Sequence, residues 1–104
     1  MNPAHKRVLD AIEYRREAFP VSLDVLSTMT GMDERTVKQI IQDLRRDHHQ
    51  PIGHSRKAGQ SGYYMIRCPK ELRAMIQRLR YEANSRHITA NKMEKALTMQ
   101  AELF

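Results

Sequence analysis

One stretch of the chain, residues 22–44, reads SLDVLSTMTGMDERTVKQIIQDL. Ser22 and Asp33 are residue types that cap helix N-termini, because their side-chain oxygens accept from the first free backbone N–H groups. After Asp33, apolar residues recur at helical spacing: Val37, Ile40, Ile41 and Leu44. The stretch therefore predicts a short helix, a tight turn at residues 30–32 and an amphipathic helix that ends near Asp47.

Upstream of this stretch, apolar spacing predicts another amphipathic helix, from His5 to Ala18. Its apolar face holds Val8, Leu9, Ile12 and either Tyr14 or the aliphatic stem of Arg16. The helix is expected to end before Pro20, since the residue that precedes a proline is pushed out of the helical region. Val21 is then expected to form a very short strand.

Downstream, the period of the pattern changes. Pro51 is incompatible with a continuing helix, and Ile52 begins an extended segment toward Ser55. Residues 56–62 hold two cations, two glycines and no large apolar side chain, and residues 63–66 are rich in strand formers. A β-hairpin with a basic tip is predicted, with one of its two adjacent tyrosines in the core and the other half exposed.

The C-terminal third is predicted to be helical. Pro69 suits the first turn of a helix that runs to about Asn84, with an apolar stripe of Leu72, Met75, Ile76, Leu79 and Ala83. A further helix is expected from Thr89 or Ala90, with a second stripe of Met93, Ala96, Leu97 and Leu103. The first stripe is expected to pack across the domain's own first helix, and the second to form a homodimer with its symmetry mate.

Composition limits the classes of protein that fit. The chain has 104 residues, enough for one modest core, and no apolar run long enough for a membrane helix. Its single cysteine, Cys68, cannot form an internal disulfide, which fits a reducing compartment and excludes a secreted disulfide scaffold. A cytoplasmic protein with no membrane association is therefore expected.

The positive charge is concentrated in the second part of the chain. The formal net charge is +6, yet residues 1–47 hold eight basic and eight acidic residues. Residues 48–68 carry three basic residues and no acidic one, and residues 69–104 carry seven basic against four acidic. A surface of one sign concentrates anionic partners, so a polyphosphate such as nucleic acid is the natural partner.

Three patterns that resemble catalytic or metal sites do not fit their chemistry. Structural zinc needs paired ligands, whereas His48, His49, His54 and Cys68 offer one thiol and two adjacent histidines that point apart. Cys68 has no base aligned with it and is expected to be a small buried residue. Asp43 and Asp47 lie one helical turn apart near Arg46, which indicates surface ion pairing. No enzyme activity, metal or cofactor is predicted.

Together these elements resemble the winged helix-turn-helix family of DNA-binding proteins, over roughly residues 5–67. The resemblance lies in Ser22 to Leu26 followed by Thr30 to Val37, and in Pro51-Ile52 with Gly62-Tyr63-Tyr64. The chain is also similar to small winged-helix proteins of temperate phages and prophages, in which such a hairpin precedes a charged helical tail. The expected fold is thus mainly α (α+β): a winged helix-turn-helix domain with a small β-hairpin wing over residues 1–68, and a C-terminal helical extension over residues 69–104.

The resemblance implies sequence-specific binding of double-stranded DNA by a phage, prophage or bacterial regulator of transcription or replication. One α-helix fits a major groove about 12 Å wide. If Val37, Ile41 and Leu44 face inward, five polar side chains face the groove: Arg35, Thr36, Lys38, Gln39 and Gln42. Two cations in the hairpin, Arg56 and Lys57, are expected on the DNA backbone.

An alternative is a winged-helix protein interaction module that docks on host replication or transcription machinery. The neutral first half of the chain favours it, as does Glu34 at the start of the reading helix, because phosphates repel a carboxylate. The arginines of the C-terminal extension could also lie along phosphates: Arg73, Arg78, Arg80 and Arg86.

Overall fold

The computed structural model of the chain describes the backbone of residues 1–103 and the side chains of residues 1–100. These residues form four α-helices, 64% of the chain, and a two-stranded antiparallel sheet, which confirms the mainly helical α+β class. In chain order the elements are α1 (Pro3–Ile12), α2 (Leu23–Thr30), α3 (Glu34–Asp47), β1 (Ile52–Ser55), β2 (Gly62–Met65) and α4 (Pro69–Leu103). The chain divides into an N-terminal unit, Met1–Leu72, and a C-terminal unit that begins at Arg73.

Helix α1 is shorter than predicted at its C-terminal end. It begins after Asn2, whose side chain accepts from the backbone N–H of His5 at 2.9 Å, and it ends at Ile12 rather than near Ala18. Tyr14 is 81% exposed, so it does not extend the apolar face. The carbonyl of Arg15 instead accepts from the backbone N–H of Met65 at 3.1 Å, because the segment after α1 lies against the hairpin.

The two helices predicted around Gly31 are confirmed. The Ser22 hydroxyl caps α2 by accepting from the backbone N–H of Val25, and Asp33 caps α3 by accepting from that of Thr36 at 2.7 Å. Gly31 ends α2 in the left-handed conformation with φ 70°, which glycine adopts without steric cost.

The core of the N-terminal unit lies where α1, α2 and α3 meet the hairpin. Helix α3 contributes most of it, because four side chains on one of its faces are almost completely buried: Val37, Ile40, Ile41 and Leu44. Val8 and Ile12 of α1, Leu26 of α2, and Ile52 of β1 complete this cluster with Val21 and Met65.

Val21 forms the short extended contact predicted for it, as an antiparallel bridge to Tyr63 of β2. The backbone N–H of Val21 donates to the Tyr63 carbonyl at 2.9 Å, and the N–H of Tyr63 donates back at 2.8 Å. As predicted, one tyrosine is core and the other half-buried: Tyr64 is buried and Tyr63 is intermediate.

Two glycines lie where the hairpin packs most tightly. Gly53 lies opposite Tyr64, and a Cβ at Gly53 would stand 2.6 Å from Cζ of that ring. Gly62 has φ 154°, and a Cβ there would stand 2.5 Å from the Val21 carbonyl oxygen. The bridge to Val21 therefore depends on the absence of a side chain at position 62.

The C-terminal third differs from the prediction, since α4 is one continuous helix of 35 residues and no second helix begins near Thr89. Residues 70–104 contain no glycine or proline to interrupt it. The Thr89 hydroxyl donates to the Ser85 carbonyl one turn earlier, at 3.1 Å. The side chain of Leu103, predicted to belong to the second stripe, lies outside the described residues.

Cys68 is exposed, so the expectation of a buried thiol is wrong. It lies in the link between β2 and α4, two residues after the buried Ile66. None of the helices described combines the length and the apolar character that a bilayer-spanning segment needs.

Candidate nucleic-acid interface

Helix α3 has one buried face and one exposed face. All five side chains predicted to face a groove are exposed: Arg35, Thr36, Lys38, Gln39 and Gln42. Four of them, Arg35, Lys38, Gln39 and Gln42, are spaced three or four residues apart and so share one side of the helix. Four of the five predicted residues of α3 therefore lie together. We call residues 35, 38, 39 and 42 the α3 outer stripe.

The stripe extends one helical turn beyond the residues predicted from sequence. Arg46 follows Gln42 at a spacing of four and is also exposed. The same helical spacing that selected the first members could have found it. By contrast, Arg45 is half-buried, and its Nε donates to the Ile52 carbonyl at 2.9 Å, which ties α3 to the first strand of the hairpin.

A side-chain network joins the outer stripe to α1. The amide Nε2 of Gln39 donates to Oδ1 of Asp43 at 3.0 Å, and Oδ2 of Asp43 lies 3.1 Å from Nε2 of His5. The other ring nitrogen of His5 lies 2.6 Å from Oδ1 of Asn2. The hydrogen bond from His5, followed by that from Gln39, holds the pKa of Asp43 below its ordinary value.

This network holds the Gln39 amide by one N–H and leaves its other hydrogen-bonding groups available. The amide has two N–H donors and one carbonyl acceptor, and Asp43 occupies one donor. A second N–H and the carbonyl oxygen suffice for the bidentate pairing that glutamine makes with adenine. From sequence, Asp43 is expected to take part in surface ion pairing near Arg46. Its contact with His5, 38 residues away, does not follow from any local spacing.

The loop between the strands, residues 56–61, presents the two predicted cations. Arg56 and Lys57 are both exposed. A turn closes the tip, because the backbone N–H of Gln60 donates to the Lys57 carbonyl at 3.0 Å and Gly59 takes φ 77°. We call residues 56–61 the hairpin loop.

The ammonium of Lys57 has a partner that the sequence did not predict. Its Nζ lies 3.9 Å from Oε1 of Glu17, and both side chains are largely exposed, 70% and 47%. An exposed pair at this distance contributes little, about 0 to 1 kcal/mol, and is screened by salt. A phosphate can therefore replace Glu17 as the partner of Lys57.

The base of the hairpin loop is stiffened by stacked rings. His54 and Tyr63 face each other across the two strands, with ring centroids 4.5 Å apart and an interplanar angle of 15°. Burial raises the pKa of the Tyr63 hydroxyl, while the nearby charges of Arg45 and Arg56 oppose that shift. Arg56 thus lies close enough to Tyr63 for its charge to act on that ring.

The possible metal ligands considered from sequence were the histidines and the cysteine. Within residues 1–100, no three histidine, cysteine, aspartate or glutamate side chains come together as metal ligands.

Comparisons of the chain with protein-family models, with curated proteins and with solved structures found no match. The outer stripe and the hairpin loop are the features of the described residues that bear on function.

The carboxylate of Asp33, which caps α3, predicts how the stability of the fold changes at low pH. The backbone hydrogen bond from Thr36 is the main reason that the pKa of Asp33 lies below its ordinary 3.8. A carboxyl with a lowered folded-state pKa stabilises the fold above its unfolded pKa, and that stabilisation is lost as pH falls through the folded value. We expect Asp33→Ala to be less stable to urea than the wild type at neutral pH, with the gap closing as pH falls below about 3.8.

Asp33→Asn is the matched control, since asparagine caps as well as aspartate but does not ionise. Its advantage in stability over Asp33→Ala should therefore stay the same as pH falls through about 3.8. A gap between the wild type and Asp33→Ala that is the same at every pH would contradict a role for the ionised carboxylate.

Proposed function

We propose that the N-terminal unit is a winged helix-turn-helix domain that binds double-stranded DNA in a sequence-specific manner. Helix α3 enters the major groove, and the hairpin loop is the wing that lies on the sugar–phosphate backbone. The observation that carries this proposal is the division of α3 into an apolar face, buried in the core, and an exposed stripe of arginine, lysine and glutamines.

The chemistry of the outer stripe suits the edges of base pairs. Arg35 and Lys38 can donate to the O6 and N7 atoms of guanine, and Gln39 can pair bidentately with adenine. Because Asp43 holds Gln39 by one N–H, the amide reaches the groove with less rotational freedom to lose. Thr36 lies in the first turn, where a hydroxyl can bond a phosphate.

The hairpin loop suits the backbone. It offers two cations and small or polar residues, and its strands are fixed to the core through Val21 and through Arg45 of α3. Contacts to phosphates do not depend on sequence, so this loop supplies affinity while α3 supplies discrimination. Together with the resemblance to phage proteins, this supports a role as a phage or bacterial regulator of transcription or replication in the cytosol.

Loss of the two hairpin cations is expected to weaken binding to all duplexes alike. Each phosphate neutralised contributes about 0.9 to the slope of log affinity against log salt. Arg56→Ala combined with Lys57→Ala should thus lower that slope by about 1.8, and lower affinity on the order of 50-fold at about 0.1 M salt. Fluorescence anisotropy with a random duplex over a salt series measures both quantities.

Lys92→Ala combined with Lys95→Ala is the matched control, since it removes the same charge from exposed positions in α4. The control should retain most of the wild-type slope. If the two double variants weaken binding equally, net charge alone explains the effect and the hairpin loop has no particular role.

Gln39→Ala is expected to erode discrimination at one base pair, by about 1 to 3 kcal/mol, with little change in binding to random duplex. The preferred duplex is first selected from sequenced genomic fragments, and each base pair is then varied. Asp43→Ala should weaken discrimination at the same base pair by a smaller factor, because Gln39 is retained but no longer held. Loss at a different base pair in the two variants would contradict this assignment.

One observation favours the alternative, a domain that docks on a protein of the replication or transcription machinery. Phe19, Val25 and Met29 are large apolar side chains that are 76%, 45% and 56% exposed. Val25 and Met29 share a face of α2, and Phe19 and Val25 line one open cleft. Absence of measurable binding to random duplex at about 50 mM salt would favour this alternative over DNA binding.

A further inference from the structure

As far as Leu103 the C-terminal unit is part of one helix, so its described residues hold no second element against which an apolar face can be buried. Several of its large apolar side chains are exposed; Met93 and Leu97 are each 68% exposed. In proteins, most of the stability of a helix comes from packing of an amphipathic face rather than from the propensity of its residues.

Eight of the exposed positions follow a strict heptad spacing, whereas the exposed side chains of Tyr81, Ile88 and Met99 lie outside it. Steps of four and three alternate over 25 residues and define a seam: Ile76, Leu79, Ala83, Arg86, Ala90, Met93, Leu97 and Gln100. A repeat of 3.5 residues is the spacing at which two helices keep one face in contact as a left-handed coiled coil. Six of the eight seam residues are apolar, and the exceptions are Arg86 and Gln100.

We infer that this seam pairs with the same seam of a second copy of the chain, and that the two helices run antiparallel. The inference does not depend on DNA binding. In the proposed register, the residue numbers of two facing seam positions add up to 176. Leu79 therefore faces Leu97 of the second copy, and Ala83 faces Met93 of the second copy. Each pairing occurs twice about the two-fold axis.

The sizes of the side chains favour this direction. In the antiparallel register, each of the two small alanines faces a long side chain: Ala83 faces Met93 and Ala90 faces Arg86. In a parallel pair, each residue faces its own copy, so both alanine layers are underfilled and Arg86 faces Arg86. Two like charges in a seam repel, and underfilled layers lose packing contacts.

Charges beside the seam favour the same register. Arg80 and Glu94 both occupy the position that follows the second apolar residue of a heptad, and both are exposed. In an antiparallel pair this position faces its counterpart, which places Arg80 opposite Glu94 of the second copy on both sides of the axis. In a parallel pair Arg80 would face Met75 and Glu94 would face Thr89, so no attraction results.

The mass of the full chain in solution gives the first test. Sedimentation equilibrium is expected to give twice the 12.2 kDa of one chain at micromolar concentration. Leu97→Asp should shift the chain to monomer while its thermal unfolding remains cooperative. A wild-type chain that stays at 12.2 kDa up to about 100 μM overturns the inference.

Disulfide trapping tests the direction. In a background with Cys68→Ser, Ala83→Cys and Met93→Cys are prepared separately and then mixed. The antiparallel register predicts a mixed disulfide between positions 83 and 93, identified by mass spectrometry of the linked peptide, and little disulfide dimer from either variant alone. A disulfide dimer of Ala83→Cys alone, formed as readily as the mixed product, means a parallel pair and overturns the inference.

Charge reversal tests the register. Arg80→Glu and Glu94→Arg should each raise the dimer dissociation constant about tenfold, because each replaces two attractions with two repulsions. The double reversal should return it to within about twofold of the wild type. If the double reversal raises the dissociation constant by the product of the two single fold-changes, the pairing of Arg80 with Glu94 is contradicted.

Discussion

Gly62→Ala is expected to destabilise the N-terminal unit by about 4 kcal/mol. Two costs add. The backbone conformation at φ 154° is one that residues other than glycine rarely adopt, at a cost on the order of 1–3 kcal/mol. The new Cβ would stand 2.5 Å from the carbonyl oxygen of Val21, a backbone atom that is held by Tyr63, and overpacking of this kind costs about 1–3 kcal/mol.

Gly59→Ala is the matched control. Gly59 also has a positive φ, 77°, but nothing lies within 4 Å of an added Cβ. It should therefore cost only the conformational part, about 1–2 kcal/mol. Urea denaturation followed by circular dichroism compares the two variants, and equal losses would show that contact with Val21 has no part in the effect.

Leu44→Ala is expected to cost about 2–5 kcal/mol, because Leu44 is completely buried and its removal leaves a cavity in the core. Leu44 lies on α3 on the face opposite the outer stripe, among residues of the hydrophobic cluster. A loss of this size is a large fraction of the stability of a unit of this length. Thermal and urea unfolding measure it.

Leu44→Met distinguishes the stability lost through a cavity from the stability lost through any change of residue at this position. Methionine conserves most of the volume, so this variant should lose less than about 1.5 kcal/mol and keep any binding to DNA. If Leu44→Ala is as stable as Leu44→Met, then this position is not the packing centre of α3.

The elements predicted best are those whose limits are encoded locally. Ser22, Gly31 and Asp33 mark the ends of α2 and α3 by side-chain caps and a left-handed glycine, and each acts within three or four residues of its own position. The exposed side of α3 follows from the same local periodicity. The sequence was therefore sufficient for the orientation of the outer stripe.

The elements predicted poorly are those that depend on distant partners. Helix α1 ends early because Arg15 bonds Met65, 50 residues further along the chain. The hold of Asp43 on Gln39 involves His5, and Lys57 meets Glu17 across the fold. Helix α4 is one helix rather than the two expected, because residues 70–104 contain no glycine or proline that would end it.

The contact between Tyr64 and Gly53 constrains how this hairpin can diverge in evolution. With the Tyr64 ring in its present position, a Cβ added at position 53 would stand 2.6 Å from the ring, so the ring would have to move. A descendant that gains alanine or a larger residue at position 53 is expected to have first exchanged the tyrosine for a smaller residue. The two sites should thus covary in any set of related sequences, while Gly59, with open space around it, drifts independently.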